Sequence, residues 1–276
     1  MHRNDRGVVT IIGALLTLSV ILLFATQYVV TVAPQQATAA EYDTTYNIFS
    51  DMSNLRVTMD EAADSGRVKT ARIHTSVDYP LTAQAGTQPM SYEYRTEPAN
   101  VTLSNFNNST SAFLDGKTSD PLNYDSERFN ISFQSTSQNM LRQEAVGFEH
   151  GVSYRGDDSN TYLGEQTVVN DETVTIYLLD GNLGIARATN NDDFTVESTA
   201  FNETTVNQST QMELSFETRA SEQAWNDTLR QEFDENGGRI VDVTVKQNTD
   251  AVDEVIISFE ANIEYTIYIA RATVES

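Results

Sequence analysis

Residues 8–33 read VVTIIGALLTLSVILLFATQYVVTVA, and this stretch decides the architecture. No Asp, Glu, Lys or Arg occurs from Gly7 to Ala40. At 1.5 Å per residue the apolar run makes a helix of about 39 Å, long enough to cross the hydrocarbon core of a bilayer with some tilt. From Glu41 onward the chain is polar, acidic and marked by strand-type alternation. The stretch therefore predicts a single membrane anchor carrying one large soluble face.

The flanking charges predict an orientation. Arg3 and Arg6 precede the run, and no Lys or Arg follows until Arg56. Such a bias holds the N-terminus in the cytoplasm and sends the C-terminal bulk outside the cell. A cleaved secretory signal, with Ala37-Thr38-Ala39 as its cleavage site, fits poorly, because the apolar core of such a signal runs only about 7–15 residues. An uncut signal anchor and a leader cut on the cytoplasmic side of the helix both stay open.

The soluble portion must be held by its core alone. Net charge is −23, from 40 acidic and 17 basic residues, and only Lys69, Lys117 and Lys246 are lysines. Such a surface repels nucleic acid and anionic membranes in dilute buffer. The acid is spread along the chain, which points to a salt-adapted protein. At molar salt the Debye length is about 3 Å, and self-repulsion is screened. There is no Cys, which excludes disulfides, thiol nucleophiles and Cys-based metal sites.

Periodicity then divides the chain. Ile48, Met52, Leu55, Met59 and Ala62 recur at helical spacing, and Gly66 is a stop. Residues 8 to about 64 read either as one helix kinked near Pro34 or as two helices broken at Pro34-Gln35-Gln36. Beyond Gly66 the period becomes two. The inward sets are Ile73/Thr75/Val77/Tyr79, Phe129/Ile131/Phe133, Met212/Leu214/Phe216, Val241/Val243/Val245, Val255/Ile257/Phe259 and Ile263/Tyr265/Ile267/Ile269. Val174–Leu179 is nearly all apolar and reads as a central strand. One short helix follows a Ser221 cap, with Trp225, Leu229 and Phe233 four apart. Ser104 to Ser126 reads as a long exposed loop. The expected fold class is α+β, with a long N-terminal transmembrane helix and a mainly antiparallel, sandwich-like β domain containing one short helix. The expected divisions are 1–7 leader, 8–33 membrane helix, 34–66 amphipathic extension and 67–276 extracellular β-rich domain.

The residues Arg6-Gly7-Val8-Val9-Thr10-Ile11-Ile12-Gly13-Ala14-Leu15-Leu16 resemble the N-terminus of haloarchaeal type IV pilins. The resemblance implies cleavage between Gly7 and Val8, with Arg6 as the preceding basic residue. Two positions depart from the pattern: Val9-Thr10 stands where Ser-Pro is usual, and Ile12 stands where bacterial pilins carry an acid. Further along, Glu149-His150-Gly151-Val152-Ser153-Tyr154, Val174 to Leu183, Arg219 to Trp225 and Tyr265 to Val274 resemble haloarchaeal exported proteins with pilin-like N-termini. That likeness implies a β-rich ectodomain behind the helix and brings no catalytic residues. Gly13, Ala14 and Ser19 are small enough to let helices approach one another.

No constellation of reactive residues stands out. The three histidines, His2, His74 and His150, have no second His at ligand spacing. Gly116-Lys117-Thr118 lacks the first glycine of a phosphate loop, which is Ser111 here. Asp234-Glu235-Asn236-Gly237-Gly238 lacks the other ligands of a calcium loop. The expectation is no enzyme activity, no cofactor and no metal. Tyr92, Tyr94, Tyr154, Tyr162, Tyr177, Tyr265 and Tyr268 are candidates for a binding face. Seven glycosylation sequons occur, at Asn100, Asn107, Asn108, Asn130, Asn202, Asn207 and Asn226. The function expected is a pilin-like surface protein for adhesion or surface structure, assembling with like subunits through its helix. A monomeric, membrane-tethered binding module is the alternative.

Overall fold

The computed structural model describes residues 4–65, 67–75, 77–80, 91–106, 116, 120–134, 145–157, 160–170, 172–181, 185–188, 194–207, 210–236, 240–246 and 253–275. It opens with one uninterrupted helical rod. This comprises α1 (Asn4–Gln27), a π-helical turn (Tyr28–Val32) and α2 (Ala33–Ser65). The rod is not broken at Pro34-Gln35-Gln36. The widened turn lies immediately before Pro34, and Ala33 N–H donates to the Tyr28 carbonyl five residues back. A proline removes one amide donor and crowds the preceding turn, and the π turn absorbs both effects without ending the helix.

The strands are β1 (Thr70–Ile73), β2 (Ser91–Pro98), β3 (Val101–Ser104), β4 (Leu122–Tyr124), β5 (Glu127–Gln134), β6 (Ala145–Glu149), β7 (Val152–Asp157), β8 (Asn160–Leu163), β9 (Val169–Asn170), β10 (Thr173–Asp180), β11 (Ile185–Ala188), β12 (Phe194–Asn207), β13 (Glu213–Thr218), β14 (Ile240–Lys246), β15 (Asp253–Phe259) and β16 (Glu264–Glu275). Helix α3 (Glu222–Asn236) lies between β13 and β14, and its Ala224 N–H donates to Ser221 Oγ at 3.3 Å, as a cap should. The first sheet runs β1-β12-β16-β10-β9, the second β11-β2-β5-β6-β7-β8 and the third β14-β15-β13-β3-β4. Among the described residues pairing is antiparallel except for β10 with β16, which run parallel with Ile176 opposite Ile269. This pair explains the continuous apolar run of residues 174–179, since both faces of β10 are covered.

The first sheet separates two cores. Val174, Ile176 and Leu178 of β10 join Leu214, Phe216, Trp225, Ile257 and Phe259 on the side of the third sheet. Tyr177 and Leu179 point the other way, toward Phe129, Ile131 and Phe148 of the second sheet and the α2 stripe. That stripe is Ile48, Met52, Leu55 and Met59, each at most 1 % exposed. Burial of each such side chain contributes about 1.5–3 kcal/mol.

Three expectations need correction. The alternation from Ile73 to Tyr79 is a strand only as far as Ile73. Beyond it the chain follows α2, because helix carboxylates take over as partners: Asp51 accepts from His74 N–H at 3.0 Å and Glu41 from Tyr79 Oη at 3.0 Å. The stretch from Ser104 to Ser126 is not all loop, since β4 lies within it and buries Leu122 and Tyr124. Strand β12, 14 residues long and rich in Thr, Glu and Asn, was not anticipated because its alternation is carried by polar side chains.

Candidate functional site: the anchor helix and its seat

Helix α1 is apolar and long enough to cross a membrane, and it lies near the N-terminus. From Thr10 to Gln27 every residue of it is exposed. Its hydroxyl groups are satisfied internally. Thr17, Ser19 and Thr26 donate to the carbonyls of Gly13, Leu15 and Leu22 at 2.7–2.9 Å, and Thr31 in the π turn donates to Gln27 at 2.6 Å. Such bonds lower the cost of placing hydroxyls in hydrocarbon. Among the described residues nothing packs at Gly13, and Ala14 and Ser19 are likewise exposed. Arg6, Gly7 and Val8 belong to the first turns of α1 by their backbone. Their side chains lie outside the description.

Beyond α1, α2 is held along both flanks. On one flank Ser53 and Ser153 share a 2.6 Å hydrogen bond, and Arg56 donates to the Glu165 carbonyl at 2.7 Å. Beside them the Arg155 guanidinium stacks 5.7–5.8 Å from the rings of Tyr46, Phe49 and Tyr162. Farther along the same flank Asp60 accepts from Tyr177 Oη at 2.5 Å, and Tyr177 also meets Thr167 at 2.8 Å, while on the opposite flank Asp51 accepts from His74 N–H at 3.0 Å. Burial, and the Asp60 carboxylate, push the Tyr177 hydroxyl pKa above its ordinary value. Tyr177 fits only because residue 151 is Gly: a Cβ there would lie 2.2 Å from the ring, and Gly151 has φ +80°.

A buried polar network ties the second sheet to the third. Arg128 and Glu149 are both fully buried and pair at 3.3 Å, and Arg128 also donates to the Pro98 carbonyl at 2.8 Å. Thr218 Oγ1 accepts from Trp225 Nε1 at 2.7 Å and from Ala220 N–H at 3.0 Å, so its own proton goes to Glu149. The Arg219 amide reaches both Glu149 oxygens, while its guanidinium grips Glu97 with two bonds at 2.9 and 3.0 Å. Burial pushes the Glu149 carboxyl pKa upward, and Arg128, Thr218 and the two backbone amides pull it back. Next to it, His150 donates from Nε2 to the Glu217 carbonyl at 2.7 Å, and its Nδ1 is buried without a partner. Burial holds the His150 pKa down to about 4. Sequence reasoning missed this network. Arg128 and Asn130 fall between the inward residues of β5, where alternation alone points to solvent, but that face is covered as well.

The other predicted residues are dispersed. Asn100 is exposed after β2. Asn130 is 4 % exposed within β5. Asn202 and Asn226 are half-buried. Asn207 ends β12 with its side chain outside the description, and Asn107 and Asn108 lie outside the described residues. The tyrosines do not form one face. Tyr154, Tyr177 and Tyr265 are buried and Tyr162 is 60 % exposed, while the Tyr92 side chain lies outside the description. His74 pairs with Asp51 at 3.1 Å. Among the described residues no group of three or more His, Asp or Glu is placed to hold a metal ion.

In class, then, this is a chain with one apolar, membrane-length N-terminal helix running unbroken into a β-rich domain. Compared with known proteins, it matches no family model, no curated protein and no solved structure.

Proposed function

We propose that this chain is a non-enzymatic cell-surface protein of pilin-like design. Its N-terminus is cytoplasmic, and the helix from Val8 anchors it or assembles it with like subunits. The sandwich-like β domain is displayed outside the cell, in concentrated salt, for adhesion or surface structure. One observation carries the reading: among the described residues α1 makes no packing contact at Gly13 and is exposed from Thr10 to Gln27, yet it continues rigidly into a helix seated on both flanks of the domain. A rod so built transmits the position of the membrane or filament core directly to the head.

The test is the N-terminal residue of the mature protein in its native membrane. The reading expects Val8, with Gly7→Leu accumulating as precursor. Mature protein that retains Met1, with Gly7→Leu behaving as wild type, leaves instead a monomeric tethered module with an uncleaved anchor.

A further inference from the structure

The outward face of α2 differs in charge from the rest of this acidic chain. Among its exposed positions from Gln35 to Val57, Asp43 alone carries a charge. Ala39, Tyr42, Tyr46, Ser50, Asn54 and Val57 make up most of the remainder. Tyr42, Tyr46 and Val57 are 50 %, 54 % and 44 % exposed. At 3.6 residues per turn these three fall within roughly 60° of the helix circumference. The neutral face is continuous with the uncharged anchor below it, which has no ionisable Asp, Glu, Lys or Arg from Gly7 to Ala40. One flank is bounded by Arg155, stacked on Tyr46, Phe49 and Tyr162. No described carboxylate lies within ion-pair distance of Arg155. The other flank carries Asp43.

We propose that this face is a homotypic interface: two copies in one membrane pair in parallel through Tyr42, Tyr46 and Val57, with Arg155 of each reaching Asp43 of the other. Three arguments select a second copy as the occupant. Even with a Debye length of about 3 Å, acids pressed together in an interface repel and lose their water, so copies of this acidic chain meet best where the surface carries almost no acid. A basic partner, by contrast, would be met by acid, which this face lacks. Copies inserted in one bilayer share an orientation, which raises their effective concentration and makes the pair parallel. In a parallel pair each helix sets its left flank against its neighbour's right flank, as in coiled coils. Here that places Arg155, which no described carboxylate meets, opposite Asp43 and the neighbouring Asp78. Arg155 stacks at the level of Tyr46 and Phe49, within two turns of Asp43 along α2. The inference rests on the membrane anchoring proposed above, but not on leader cleavage or filament formation.

The absence of cysteine makes the test clean. Full-length chain in membranes is prepared as Tyr46→Cys, Ser50→Cys and, as control, Val68→Cys, which replaces a residue 64 % exposed at another place. After mild oxidation, disulfide-linked dimer is read on a non-reducing gel. The expected result is severalfold more dimer at positions 46 and 50 than at 68. On the Ser50→Cys background, Asp43→Arg lowers the dimer fraction and adding Arg155→Asp restores it. The proposal is overturned if positions 46 and 50 react with soluble maleimide but give no dimer, or give no more than position 68. Failure of the charge swap to restore dimer removes the Arg155–Asp43 contact. Cleavage at Gly7 without crosslinking refutes this pairing alone. Crosslinking in a chain that keeps Met1 supports the pairing and refutes assembly by processing.

Discussion

Replacing His150 with Asn should flatten the acid side of the stability profile. His150 sits in the β6–β7 turn at φ 50°, a left-handed conformation that Asn tolerates well. Its ring packs 4.8 Å from that of Phe216, and Nε2 donates to the Glu217 carbonyl. Burial, first of all, holds its pKa at about 4 against the usual 6.5. The Arg128 charge adds to this, while the Glu217 carbonyl and carboxylate oppose it. Because the folded pKa is depressed, the stability from keeping this imidazole neutral is present above pH 6.5 and lost as pH falls through 4. That fall corresponds to about 3 kcal/mol. Glu149 works in the opposite direction: its raised pKa adds stability as pH falls, and it stays in both proteins, so the difference between them isolates His150. The assay is urea unfolding of the full chain in detergent and molar salt at pH 7 and pH 4. It is followed by the fluorescence of Trp225, the chain's single tryptophan, buried against Thr218. Wild type should lose about 3 kcal/mol more than His150→Asn over this interval. A wild-type-to-variant difference that stays constant across the two pH values would refute a neutral, buried His150.

The same unfolding assay checks four further outcomes. Met52→Ala, at the centre of the α2 stripe, should cost about 2–5 kcal/mol and expose α2 to protease, because it opens a cavity between the helix and two sheets. Gly151→Ala should cost about 1–3 kcal/mol, since it strains a φ of +80° and drives a methyl into the Tyr177 ring. Arg128→Met should cost about 3–5 kcal/mol by leaving Glu149 buried without its cation, and adding Glu149→Leu should recover most of the loss. Lowering salt from about 1 M to 0.1 M lengthens the Debye length from roughly 3 to 10 Å and should lower the midpoint of unfolding. A midpoint independent of salt would contradict salt adaptation of the −23 charge.

Wherever one face of an element meets solvent, the residue pattern was legible. The period of the α2 stripe, the alternations of β5, β13, β15 and β16, and the Ser221 cap all appear where expected. Where both faces are covered, the pattern misled. Arg128, Asn130 and Thr204 are polar by type and enclosed by position, so β5 shows only half of its environment and β12 shows almost none. The proline was read correctly as a perturbation but not as one that a π turn absorbs.

By itself, the sequence determined the apolar, membrane-length helix, the absence of any cysteine chemistry, the acidic composition and the change from helical to strand period at residue 66, because each follows from local composition or from the repeat of neighbouring residues. The tertiary structure alone decided that β10 and β16 run parallel between two cores. It also decided that Glu149, Arg128 and Thr218 meet in a buried clamp, and that α2 turns a face outward on which Asp43 is the one charge among the exposed positions 35–57. These depend on which segments, distant along the chain, come to cover one another. Burial is a property of that covering, and residue type alone does not carry it.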